Sequence, residues 1–270
     1  MEATTQTKAR AKRVERASEA GRRATVRAIY RRLSRAWGAQ HWWPAASAFE
    51  VIAGSILTQN TSWKNAERAL SNLRQVRVLS LTGMRRISLP ALERLARPSG
   101  YFRQKARKLK SFVAFVDRRY GGSLPRMFAR PTAELRSELL TIRGIGPETA
   151  DAILLYAGHH ESFVVDAYAR RIFERHGIVA AKAKYDEIRE LVQRSLQSEL
   201  PGPAAAASQQ APQAHAPSRM SIAARTPRAQ VYNEMHGLVV QVGKHYCRKA
   251  EARCEACPLG PMPSSPLHRA

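Results

Sequence analysis

Three groups of residues in this 270-residue chain have the types and spacing to do chemistry. The first is a carboxylate at the end of a short apolar link. Phe163, Val164 and Val165 lead into Asp166, and AYARRIFERHG after it has helical spacing. A carboxylate there can cap the next helix by accepting its free N–H groups. It can equally stabilise a developing positive charge or take a proton from water. The second group is a turn, RGIGPE, in which Gly144 and Gly146 flank Ile145 and Pro147 opens a second helical run from Glu148 to Ala157. Glycines take backbone angles that other residues resist, and proline suits a first helical position. Such a turn either joins two helices or brings backbone N–H groups and a helix N-terminus to a phosphate oxygen. The third group is C-x6-C-x2-C, formed by Cys247, Cys254 and Cys257, which are the chain's three cysteines. An odd number cannot pair fully. The spacing fits metal or cluster chemistry in a reducing compartment better than a disulfide framework.

Aromatic and polar residues add to this set. Trp42 and Trp43 stand side by side just before Pro44, where the chain is extended or turned, and can either pack or line a pocket. Gln59 and Asn60 follow an apolar run, FEVIAGSIL, and Trp63 comes shortly after. Polar residues there can simply cap a helix end. Gly100 and Tyr101 form a turn before a long helix whose first half carries Arg103, Lys105, Arg107, Lys108 and Lys110. Cations at a helix start oppose its dipole, so the spacing predicts either a solvated basic face or a phosphate partner.

The elements that must position these residues read as helices. Apolar spacing predicts them over Thr25–Trp37, Phe49–Leu57, Ser62–Leu73, Ala91–Ala96, Glu134–Thr141, Lys184–Leu196 and Gln230–Val242. The long helix after Tyr101 has its apolar stripe at Leu109, Phe112, Val113, Phe115 and Val116. With 44% hydrophobic residues the chain can build a core of one large domain or two lobes. Residues 1–23 read as a basic disordered arm, and 201–227, rich in Ala, Pro, Gln and Ser, as a disordered insertion. That leaves 24–200 with 228–259 as the folded helical part, and 247–270 as a cysteine loop and tail. A formal charge of +24 points to a polyanion, nucleic acid ahead of a membrane surface. No run of apolar residues is long enough to span a bilayer, and the N-terminus lacks a signal-peptide core, so the cytoplasm is expected.

LTIRGIGPETADAILLYA followed by FVVDAYARRI resembles the helix-hairpin-helix DNA glycosylase superfamily, in its endonuclease III branch, and the resemblance runs from roughly Ala24 to Leu259. It implies an all-α, two-lobed fold with a DNA cleft between the lobes. It implies that Gly144, Ile145 and Gly146 grip the DNA backbone and that Asp166 is the catalytic acid. Gln59, with Asn60 beside it, matches the glutamine that fills the gap left by a flipped base; Gly100, Tyr101 and Lys105 match a turn that touches DNA. Trp42, Trp43 and Trp63 fall on the aromatic positions of the endonuclease III-like 3-methyladenine glycosylases, the last as aromatic for aromatic. An alkylated purine is cationic and suits such a pocket.

Bifunctional members carry a lysine just after the hairpin, and Glu148 stands there in this chain. A carboxylate cannot form an imine. The resemblance therefore implies a monofunctional N-glycosylase that leaves an abasic site, with Glu148 beside the base. The alternatives are an endonuclease III-like glycosylase and lyase acting on oxidised pyrimidines, and a DNA-binding protein without catalysis. The cysteines match the first three of a C-x6-C-x2-C-x5-C iron–sulfur loop whose fourth position is Pro263. The implied [4Fe–4S] cluster is thus incomplete. His268 as a fourth ligand, or a zinc ion, are other ways to use the thiols. The excision itself needs no cofactor. The implied partner is duplex DNA containing damaged bases, bound by a monomer without a membrane, at the nucleoid in a bacterium.

Overall fold

The computed structural model describes residues 18–202, 215–260 and 262. In chain order the helices are α1 Glu19–Trp37, α2 Ala48–Leu57, α3 Trp63–Gln75, α4 Leu81–Arg86, α5 Leu89–Ala96, α6 Phe102–Tyr120, α7 Leu124–Phe128, α8 Thr132–Leu140, α9 Pro147–Ala152, α10 Ala167–Arg175, α11 Tyr185–Ser195 and α12 Pro227–His245. A 3-10 turn, Arg97–Ser99, follows α5, and α9 runs into a π turn, Ile153–Ala157. Among the described residues there is no strand, only one isolated bridge between Cys247 and Ala252. The chain is all-α, as expected. No helix among the described residues is long and apolar enough to cross a membrane.

The chain divides into two compact units. Of the described residues, one contains 43–160 and 218–223; the other contains 18–42, 161–202, 215–217 and 224–260 with 262. In the unit of 43–160, all of Phe49–Leu57 in α2 is buried, including Glu50, which pairs with Arg74. The helix packs against α3, α6, α9 and the π turn. The α6 stripe is buried as its spacing predicts, from Leu109 to Val116. Serines set the helix starts. Ser47, Ser62, Ser80, Ser88 and Ser123 each accept a first-turn N–H, at α2, α3, α4, α5 and α7. In the other unit α12 is the central element. Its residues from Val231 to Gly243 are all buried, with α10 and α1 packed on it. α1 lays Val26, Ile29, Tyr30, Leu33 and Trp37 against this core.

Three expectations change. The helix expected from Thr25 begins at Glu19, capped by Ser18, so 19–23 belong to α1 and not to an arm. Of the arm, residues 1–17 lie outside the described residues. The expected insertion is packed at its C-terminal end: Met220 is buried and donates its N–H to Ala45 O, while Ser218 Oγ accepts from Ala45 N at 3.2 Å and donates to Trp43 O. Residues 203–214 of it lie outside the described residues. The basic face of α6 is the third. Lys105 is 1% exposed and donates to Leu57 O at 2.8 Å and Ser99 O at 2.6 Å. Lys105 is therefore no phosphate ligand. Its ammonium satisfies two carbonyls at helix ends, which lack intrahelical partners. Lys110 does the same for Met84 O and Ile87 O at the end of α4.

Candidate active site and nucleic-acid interface

The hairpin is built by α8 and α9. Ile142 and Ile145 bury their side chains, and Ile145 N donates to Ile142 O at 3.0 Å, closing the turn. Ile145 can therefore offer a ligand only its backbone. Gly144 has φ +88°, which favours glycine. The Lys108 stem lies across it, so that a Cβ at 144 would meet Lys108 Cε at 2.4 Å. Gly146 differs from the expectation: its φ of −94° is open to any residue. A Cβ at 146 would meet nothing within 4 Å. What glycine provides there is an uncovered backbone beside the N-terminus of α9. Pro147 takes the first helical position, and Glu148 is exposed in the first turn, where its charge suits the dipole.

Gln59 is wired into this hairpin. Its Nε2 donates to Gly144 O at 3.1 Å and Thr149 Oγ1 at 2.8 Å, and its Oε1 accepts from Lys108 Nζ at 2.5 Å. Gln59 is thus a strut between the α2–α3 loop, α6 and the hairpin. Asn60 is exposed in that loop and sits at φ +52°. Gly100 and Tyr101 are also at positive φ, 65° and 45°, ahead of α6. Tyr101 is 67% exposed, a large aromatic left to solvent.

The aromatic trio divides. Trp43 meets Trp63 edge-to-face at 5.1 Å and Tyr156 at 5.4 Å. Its ring presses on α2 at Gly54, where a Cβ would stand 3.2 Å from it. Two perpendicular rings in contact leave no parallel slot for a base. They form one wall, with Trp63 half-buried. Tyr156, which sequence reasoning missed, completes that wall from the π turn. π turns interrupt helices frequently at functional sites; in sequence Tyr156 was hidden in the apolar run AILLYA.

Trp42 belongs with the other unit. Its ring lies 5.2 Å from that of His215 and 6.1 Å from that of His236, and Lys244 Nζ sits 5.5 Å over it. Trp42 thus lies in one unit, and Trp43 and Trp63 in the other. The same unit holds Asp166 at the start of α10, carried by the buried link of Phe163, Val164 and Val165. Asp166 does cap the helix: Oδ1 accepts from Ala169 N at 2.8 Å. The cap uses one oxygen. Oδ2 is 3.6 Å from His236 Nε2, and the side chain keeps 15% exposure. Burial holds the Lys244 ammonium below its usual pKa, with Asp166 pulling the other way. Burial, then Asp166, raises the Tyr168 phenol. His236 and Lys244 were not found from sequence because both lie in the apolar-looking helix α12.

The three cysteines line one small cavity with Arg175, His176 and Tyr246. All are free of disulfides. Arg175 Nη1 and Leu259 N each point at a sulfur, Cys247 Sγ and Cys257 Sγ, at 3.4 Å. Burial pushes the Cys257 thiol up to about 11 and raises that of Cys254. Donors aimed at sulfur suit bound thiolates. Among the described residues no three His, Cys, Asp or Glu converge closely enough for a single metal ion. Pro263 and His268 lie outside the described residues.

Residues 53–198 match the model of the HhH-GPD superfamily of base excision DNA repair proteins, and the chain belongs to that family, in its endonuclease III-like branch. A relative named "Putative DNA repair glycosylase" from Methanocaldococcus jannaschii is 40% identical over 232 residues, 86% of this chain and 92% of its own length. The endonuclease III of Thermotoga maritima is 24% identical over 209 residues, 77% of this chain and 79% of its own. Among solved structures, the H. pylori 3-methyladenine DNA glycosylase bound to 1,N6-ethenoadenine aligns with TM-score 0.63 at 27% identity, over 83% of this chain and 97% of that one. A trapped endonuclease III–DNA intermediate aligns with TM-score 0.65 at 18% identity, over 88% and 93%, and shares the fold.

Proposed function

We propose that this chain is a monofunctional DNA N-glycosylase that removes alkylated purines of the 3-methyladenine kind from duplex DNA. The observation that carries the reading is Asp166: one oxygen fixed by the helix, the other left for chemistry, in a family of base excision repair proteins. A base must leave the stack to be cut out, which costs a few kcal/mol. The uncovered backbone at Gly146 offers a phosphate grip, and exposed Tyr101 and Asn60 extend the surface on the same unit. Trp63, half-buried and edge-on against Trp43, offers a ring for stacking worth roughly 1–3 kcal/mol per base. A purine alkylated at N3 or N7 is cationic, is drawn to indole faces and leaves without prior protonation. Asp166 then has two tasks. It stabilises the positive charge growing on the sugar, and it orients or deprotonates the attacking water. The similarity to the H. pylori 3-methyladenine glycosylase supports the substrate class.

The hairpin gives a paired prediction. Gly144→Ala strains a positive-φ position and drives a Cβ into Lys108, so it costs about 1–3 kcal/mol of stability, read by denaturant unfolding. Gly146→Ala has room and an ordinary φ. It keeps stability but weakens duplex affinity several-fold by covering the N–H groups. Equal stability losses for the two would remove the distinction.

Glu148 in place of an imine-forming lysine supports the monofunctional reading. A lyase reading has one observation behind it: Lys244, a half-buried amine within electrostatic reach of Asp166. The two separate cleanly. Methylated genomic DNA should release methylated purines, seen by mass spectrometry, and strands should break only after alkali. A borohydride-trapped protein–DNA product that disappears in Lys244→Ala would establish the lyase instead. Cys247, Cys254 and Cys257 would supply three ligands of an iron–sulfur cluster, whose role when bound is structural and electronic. No step of the excision passes through it.

A further inference from the structure

We propose that His236 is a positioning residue that directs the second carboxylate oxygen of Asp166. The proposal rests on the excision role given to Asp166, although the contact itself does not. With Oδ1 committed to Ala169 N, the plane of the carboxylate depends on what Oδ2 meets. It meets His236 Nε2 at 3.6 Å, just past hydrogen-bond length. The imidazole is 4% exposed and bounded by two aromatic rings, Trp42 at 6.1 Å and Phe163 at 6.3 Å. Phe163 is on the same link as Asp166, three residues before it, so the segment that carries the acid also packs on the histidine. The next residue, Gly237, allows the close approach of α12: a Cβ there would stand 3.1 Å from Trp42 Cβ and from Gln40 Cβ.

Burial favours the neutral imidazole, with Asp166 acting in the opposite sense. A neutral ring has one N–H, and its place is set by what each nitrogen faces. With the proton on Nε2 the ring is a donor aimed at Oδ2. It fixes the carboxylate without neutralising it, leaving the negative charge for the sugar cation. Lys244, two turns further along α12, adds a charge near the same carboxylate without replacing this directional contact.

The tautomer is read directly by 15N NMR of the histidines. This chain has eight, and the His236 signal is the one lost in His236→Gln. Protonated Nε2 at neutral pH, with a shift of that signal in Asp166→Asn, is the expected result; an unprotonated Nε2 overturns the proposal. Single-turnover excision from methylated duplex is the second readout. His236→Leu should lose about 10- to 100-fold in rate, the range for outer partners that orient a reactive group, with duplex affinity unchanged. His236→Gln, which keeps an N–H at similar reach, should recover to within about threefold of wild type. In an Asp166→Asn background His236→Leu should add nothing. Wild-type excision by His236→Leu would also overturn it. If Asp166→Asn itself keeps excising, the reading of Asp166 fails, and that result is separate from the tautomer.

Discussion

Asp166→Asn should slow single-turnover excision by at least about a hundredfold while leaving affinity for lesion duplex within about threefold. The substitution is well controlled by the geometry. Asparagine is as good a helix N-cap as aspartate, so the bond from Ala169 N to the side-chain oxygen survives and α10 keeps its start. What disappears is the negative charge. In a partly buried site a fixed charge acts on a developing cation with little water to screen it, and losing one such group typically costs about 3–4 kcal/mol of barrier. Asp166→Ala separates the two tasks further. It should show the same loss of excision plus about 1 kcal/mol of lost stability, because the cap goes as well. Duplex binding by gel shift, melting temperature and excision rate on the same preparations check all three. Full excision by Asp166→Asn would reduce Asp166 to a helix cap and remove the enzymatic reading.

How much of this was legible beforehand depends on whether the physics was local. The α6 stripe from Leu109 to Val116, the buried run of α2 and the Gly144 turn follow from periodicity and backbone sterics within a few residues. Asp166 was found by its order after an apolar link; the cap reading holds for one oxygen, and the second oxygen faces His236. Long-range pairings were not legible. Lys105 and Lys110 counted as surface charge, yet each reaches a backbone carbonyl more than 20 residues away in sequence. Gln59 was placed at a helix end, but its ties to Lys108, Gly144 and Thr149 were not legible. Trp42 and Trp43 are neighbours in sequence, but the chain passes from one unit to the other between them, so their partners differ. Tyr156 and His236 sit inside apolar runs, where one polar residue carries little signal against the periodic background. The site residues missed are those whose role is conferred by a partner element, not by their own neighbours.

Lys105 gives the largest expected effect on stability, and the effect has a sign. Its ammonium is buried, and burial first, with the nearby Lys108 charge second, pulls its pKa down to about 8 from the ordinary 10.5. Between those values the unfolded chain holds the proton and the folded chain releases it. The unfolded state therefore binds more protons, and stability contributed by this group rises with pH across that window. The full depression corresponds to about 3 kcal/mol. The neutral amine still has N–H groups for Leu57 O and Ser99 O, so deprotonation relieves the buried charge without orphaning the carbonyls. Lys105→Met removes both the charge and the donors. At neutral pH it leaves two helix-end carbonyls without their partner, at about 1–3 kcal/mol each, offset in part by no longer burying a cation. Denaturant unfolding of wild type and Lys105→Met at several pH values between 8 and 10.5 isolates the group, since all other titrations are common to both. The gap should widen in favour of wild type by an amount approaching 3 kcal/mol. A gap that stays flat would mean the ammonium is held at its ordinary pKa by the two carbonyls, and that α6 is anchored at Leu57 and Ser99 by a charge the fold fully accommodates.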